Sequence, residues 1–182
     1  MQDGVKPSRS GLKWTPSRRQ ILVLMGIVAA GTAAGVGAVG ISWWDQTAET
    51  GFVHLSEDEI DFVQAFSSAA FPVTKAIDFG GGEAGLPAFF DQTLSNLADS
   101  DRKLVRVLLH GLDHVPLTTH GARFRNLDLE ARQDLIEAWG GHDSTLMRQA
   151  VQLLLTLLGM GFLTHPKVSP LVSTWHGCGY GR

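Results

Sequence analysis

Apolar residues recur at three- and four-residue spacing along most of the chain beyond residue 55, and the breaks between these runs fall at proline, glycine and helix-capping residues. Ser56-Glu57-Asp58-Glu59 has the form of a capping box, in which a serine and the glutamate three positions on satisfy each other's backbone N–H groups. Behind it Ile60, Val63, Phe66, Ala70 and Phe71 mark one face of a helix that Pro72 stops. Pro87 suits a first helical turn, and Phe89, Phe90, Leu94 and Leu97 form the next stripe. A helix from about Asp101 carries Leu104, Val105, Leu108, Leu109 and Leu112 as far as Pro116. Asp128 is placed to cap Leu129 to Trp139, with Leu135, Ile136 and Trp139 as buried candidates and Gly140-Gly141 as the stop. Ser144 is placed to cap a last helix whose run Leu153-Leu154-Leu155-Thr156-Leu157-Leu158 is apolar nearly all round, which predicts either the centre of a bundle or a face for a partner.

No stretch sustains the alternation of a strand, so the expected fold class is all-α, a single small irregular helical bundle. The triplet Gly80-Gly81-Gly82, with Gly85, predicts a flexible surface loop. Its spacing is not that of a phosphate-binding loop, since neither Gly-x-Gly-x-x-Gly nor a following Lys-Ser/Thr is present.

The first 44 residues follow a different pattern. Gln20 to Trp44 contains no charged side chain, and the segment before it holds Lys6, Arg9, Lys13, Arg18 and Arg19 against the single acid Asp3. A positive segment ahead of an apolar one is the layout of an export signal. Ser17-Arg18-Arg19-Gln20-Ile21-Leu22 resembles the twin-arginine consensus, in which the arginine pair is an address read by a translocase for folded proteins. The apolar run is also long enough to span a bilayer, lacks a clean Ala-x-Ala site and ends in Trp43-Trp44, so an uncleaved anchor with the same orientation is the other reading. The expected division is therefore a signal or anchor over residues 1–44 and a helical domain over residues 45–182 outside the cytoplasm, in the periplasm.

Setting the leader aside changes the charge. The whole chain of 182 residues has a formal net charge of −3, but five of its 15 basic residues and one of its 18 acids precede Gln20. What remains is an acidic domain with no basic stripe, which excludes nucleic acid as a partner. The single cysteine, Cys178, cannot form an internal disulfide, so the domain is held by its core, and an interchain bond is the only disulfide open to it.

Catalytic signatures are absent: there is no Gly-x-Ser-x-Gly elbow, no His-Glu-x-x-His and no Cys-x-x-Cys-His haem attachment. His110 and His114, four apart on a predicted helix and close to Asp113 and His120, form the one constellation that could bind a metal. A third ligand at helical spacing is missing, and histidine is favoured at a helix C-terminus without any metal. These two residues are weak metal candidates, and no catalytic residue is assigned.

The order of motifs resembles the gluconate 2-dehydrogenase subunit 3 family. The resemblance rests on the leader, on Phe52-Val53-His54-Leu55-Ser56-Glu57-Asp58-Glu59 opening a helix that ends in Ala70-Phe71-Pro72, and on Gly85-Leu86-Pro87-Ala88-Phe89-Phe90-Asp91. It continues through Phe124 to Gln133 and closes with Gly161-Phe162-Leu163-Thr164-His165-Pro166 and Gly177-Cys178-Gly179-Tyr180-Gly181, the last with Cys178-Gly179 inserted. What the resemblance implies is a non-catalytic small subunit that assists the folding and twin-arginine export of a larger flavin-dependent dehydrogenase of the glucose-methanol-choline class. FAD is then expected in the partner and no cofactor in this chain, with a cytochrome c subunit as electron acceptor and the twin-arginine translocase as the export machinery. Leu155, Phe162 and Trp175 are the partner-facing candidates on this reading, aromatic and leucine side chains being favoured anchors. The alternative is a free-standing periplasmic metal- or haem-binding helical protein.

Overall fold

The structure, a computed structural model, describes residues 48–75 and 77–173. Arg18, Arg19, Trp175 and Cys178 lie outside the described residues, as does the boundary expected at residue 44. Within them every regular element is helical, as the spacing predicts. The order is α1 (Glu57–Ala70), α2 (Leu86–Ser95), α3 (Asp99–His114), α4 (Leu117–His120), a 3-10 turn at Phe124–Asn126, α5 (Leu129–Gly140), α6 (Thr145–Thr164) and α7 (Ser169–Ser173).

The capping signals act largely where the sequence places them. The capping box of α1 forms, and Asp128 accepts from the backbone N–H of Ala131 at 2.8 Å to start α5. Ser144 occupies the N-cap position of α6 but makes no side-chain capping bond. There Arg148 reaches back instead to the carbonyls of His142 and Asp143.

Helix α1 is the hub, packing on α2, α3, α5 and the 3-10 turn, whereas α6 lies against α2 and α5. The leucine-rich helix is therefore a flank and not the centre of the bundle. The middle of the core is aromatic: Phe62, Phe66 and Phe124 sit 5.4 to 5.9 Å apart between ring centroids, and Trp139 stacks on Phe124 at 5.4 Å. Phe124 is fully buried although it belongs to a three-residue turn with no helical periodicity.

Two glycines set how closely elements approach. In α6 a Cβ at Gly161 would stand 2.5 Å from Cδ1 of Phe89, so α2 and α6 meet there without a side chain between them. The glycine triplet is not the flexible surface loop that its composition predicts. Gly80 and Gly81 are buried, Gly81 N–H donates to the Phe71 carbonyl at 2.7 Å, and Gln64 donates to the Gly82 carbonyl. A Cβ at Gly81 would lie 2.3 Å from the Ser67 carbonyl oxygen, so the chain is glycine there because it lies against the backbone of α1.

Candidate partner-docking face

The polar residues that the fold buries are ties between helices. Glu59, the last residue of the capping box, is fully buried and faces α3 as well as its own cap. Its Oε2 accepts from Ser56 N–H at 2.9 Å and Ser56 Oγ at 3.0 Å, while Oε1 accepts from Arg106 Nε at 2.7 Å and lies 3.1 Å from His110 Nε2. Burial alone raises such a carboxyl, but the hydrogen bonds from His110, Arg106 and Ser56, together with the charge of Arg106, overcome it and hold Glu59 at about 2. Asp113, one turn beyond His110, shows the opposite balance. Burial raises its pKa, and the backbone N–H and guanidinium of Arg125 do not offset it fully. The reason is geometric: Arg125 Nε is 3.6 Å from Asp113, but Nη1 of the same side chain lies 2.6 Å from Asp58 Oδ1 and 2.9 Å from the Asp58 carbonyl. A third tie joins α2 to the segment before α1, where the Asp91 carboxylate accepts from the N–H groups of Val53, His54 and Leu55 at 2.8 to 3.0 Å.

These contacts account for the two histidines considered for metal. His110 is buried against Glu59, and His114 Nδ1 donates to the His110 carbonyl at 2.7 Å, so the pair is used in side-chain and end-of-helix bonding. Their rings stand 6.4 Å apart and tilted, and no group of three His, Cys, Asp or Glu side chains among the described residues is arranged to hold a metal.

The surface of α6 is different. Its inner side buries Val151, Leu154, Leu158, Gly161 and Phe162. On its outer side Gln149, Leu153, Thr156, Met160 and Leu163 follow one another at spacings of four, three, four and three, one continuous stripe along the helix. Leu153, Met160 and Leu163 keep 43%, 49% and 48% of their surface exposed, and no residue from Gln149 to Thr164 is charged. A solvated helix face ordinarily carries charges, and a four-turn stripe without one, in which Leu153, Met160 and Leu163 stand open beside the uncharged Gln149 and Thr156, has an interface-like composition. The same helix is long and apolar enough to cross a membrane by length and composition, but its inner side is packed on α2 and α5.

Of the partner-facing candidates, Leu155 is half-buried on α6 beside this stripe. Phe162 requires a correction. It points inward, 7% exposed and stacked 5.0 Å from Phe71 and 6.3 Å from Phe79, because the helix at that level turns its inner side to the loop after α1. Trp175 lies outside the described residues. Leu153 opens the leucine run already read as a possible partner face, whereas Met160 and Leu163 are the residues that reading for aromatics and leucine runs misses, although the uncharged stripe that marks them is visible in the sequence.

The surface cavities are small. One of about 280 Å³ lies between His54 and the first turns of α3, and one of about 240 Å³ between α1 and Arg132. Both fall just below the roughly 300–1,000 Å³ of small-molecule sites.

A family model described as gluconate 2-dehydrogenase subunit 3 matches residues 57–180, from the first residue of α1 onward. The comparisons with curated proteins and with solved structures give no match.

Proposed function

The chain belongs to the gluconate 2-dehydrogenase subunit 3 family, and from that premise we propose that it is the non-catalytic small subunit of a dehydrogenase complex, docked on the large subunit through the outer face of α6. The observation that carries the docking role is the uncharged stripe Gln149, Leu153, Thr156, Met160 and Leu163, an interface-like surface on a helix whose other side is already packed. The buried ion pairs have their charged atoms turned on one another, away from any substrate, and serve cohesion. On this reading the large subunit is a flavoprotein of the glucose-methanol-choline class that holds FAD and passes electrons to a cytochrome c subunit. The twin-arginine leader read in the sequence then carries both subunits, since a flavoprotein that must fold around its cofactor in the cytoplasm needs an exit for folded cargo. The large subunit covers the leucine face once the two have joined, and the small subunit's leader is their common address.

The test is co-purification with the flavoprotein subunit of the complex. The wild-type pair should elute as one complex in size-exclusion chromatography, and Leu153→Glu with Met160→Glu should separate them while the helical circular-dichroism signal is kept. The pair together places two charges in the centre of the stripe, which costs an interface tenfold or more in affinity, at roughly 1.4 kcal/mol per factor of ten. A wild-type chain that elutes as a stable monomer and never binds the flavoprotein would overturn the assignment.

A further inference from the structure

Helix α3 has a wider apolar sector than its packing uses. It lies on α1 and the 3-10 turn, and Val105, Leu109 and Leu112 are buried there. Leu104 and Val107 belong neither to the buried core nor to the half-buried residues packed on it, so Leu104, which helical spacing groups with the core stripe, is turned away from it. Leu104, Val107, Gly111 and Val115 follow one another at spacings of three, four and four, which puts them on one outer side of the helix. None is charged, and Val115 and the nearby Leu117 each keep 38% of their surface exposed. This face belongs to α3 and is separate from the stripe on α6.

The chain enters the described residues at one end of this face. Ala48 shares the lining of the small cavity with Asp99, Arg102, Lys103 and Arg106, the first two turns of α3. Its course there is fixed: Glu49 N–H donates to the Leu55 carbonyl at 2.9 Å, and the Asp91 carboxylate accepts from Val53, His54 and Leu55. Immediately ahead of the described residues stand Ile41-Ser42-Trp43-Trp44, uncharged and largely apolar, and then Asp45. The four residues from Trp44 to Ala48 reach about 14 Å at most, and Leu104 to Gly111 is only about 10 Å of helix, so the tryptophan pair is within reach of the face. Charge agrees with this register. Lys103, at the near end of the face, is exposed and forms no ion pair among the described residues, and Asp45 is three positions ahead of Ala48.

We propose that residues 41–44 dock on the outer face of α3, with a tryptophan over Leu104, Val107 and Gly111 and with Asp45 turned to Lys103. Gly111 has no side chain and so leaves a seat for an indole between Val107 and Val115, and an indole covers a large apolar area with few torsions to fix. The domain then begins at Ile41 and not at residue 45. The tryptophan pair serves the domain and not a membrane interface, and the stripe of α6 stays free for the dehydrogenase subunit.

The test uses the full chain in mild detergent, with Trp14→Phe and Trp175→Phe so that the remaining indoles are Trp43, Trp44 and the buried Trp139. Acrylamide quenching reads their shielding. A docked pair is shielded, and Leu104→Glu with Val107→Glu makes it quenchable and shifts its emission to the red while the helical circular-dichroism signal is kept. Tryptophans held by the micelle, or already in water, quench alike with and without the two glutamates, and that result overturns the proposal. A second measurement uses milder changes that spare the fold. Trp43→Ala with Trp44→Ala, Leu104→Ala with Val107→Ala, and all four together are compared by melting temperature. Contact between the two sites makes the loss in the fourfold variant less than the sum of the losses in the two pairs. Strictly additive losses overturn the docking, as expected if α3 instead meets another subunit, and they decide the matter alone should the glutamate pair unfold the chain.

Discussion

Glu59 and Arg106 meet at 2.7 Å in the contact between α1 and α3, with the carboxylate wholly removed from water and the Arg106 side chain 17% exposed. The same carboxylate closes the capping box of α1, so one side chain couples the start of the hub helix to the helix beside it. Its cost of burial is met by donors from three residues, Ser56, Arg106 and His110, which is why its pKa lies below and not above the ordinary value of 4.5.

Glu59→Gln should destabilise the fold at neutral pH by on the order of 3 kcal/mol, since it leaves Arg106 buried without its counter-charge. In wild type the folded pKa of about 2 lies below the unfolded 4.5, so the stabilisation is complete above the unfolded value and is lost as pH falls between the two. Urea unfolding from pH 6 to pH 3 should show a decline that the variant lacks.

Asp113→Asn should behave in the opposite way. Burial raises the pKa of Asp113 in the folded state, so ionising it opposes folding as pH rises past the unfolded value of 3.8. Asparagine retains an oxygen for the Arg125 N–H and removes the buried charge, and its midpoint in urea at pH 7 should equal or exceed that of wild type. A loss comparable to that of Glu59→Gln would show that the Arg125 contact outweighs burial.

Two glycines two positions apart in α6 should part in sign. Gly159→Ala brings a methyl to 3.7 Å from Phe71 Cζ, an ordinary contact, and should gain up to about 1 kcal/mol of helix propensity. Gly161→Ala sets a methyl 2.5 Å from Phe89 Cδ1 and should lose about 1–2 kcal/mol net, as the ring between α2 and α6 is displaced. Thermal unfolding of both single variants decides it.

Replacing Arg18 and Arg19 together with lysine should strand the chain in the cytoplasm and the dehydrogenase subunit with it, because a receptor-read arginine pair is not replaced by charge alone. Cell fractionation with antibodies to both subunits measures this. Normal periplasmic yield of the dehydrogenase would remove the shared-export role while leaving the docking role untouched.

What could be read from the sequence alone is what depends on near neighbours in the chain. Helical spacing and caps placed α1, α2, α3, α5 and α6, and the opening Phe52 to Glu59 pointed to the family that the match over residues 57–180 shows. Tertiary structure alone decided the direction in which each side chain looks. Glu59 reads as a capping residue and is also a buried anion, because Arg106 and His110 lie 47 and 51 positions away and only packing brings them together. Phe162 reads as an anchor and is core, and Gly80-Gly81 reads as a loop and is packed, because the α1 backbone at Ser67 and the rings of Phe71 and Phe79 set the available space. The leucine-rich helix α6 is apolar nearly all round, so its own pattern does not say which side is covered. The positions of α2 and α5 cover one side and leave Leu153, Met160 and Leu163 facing out.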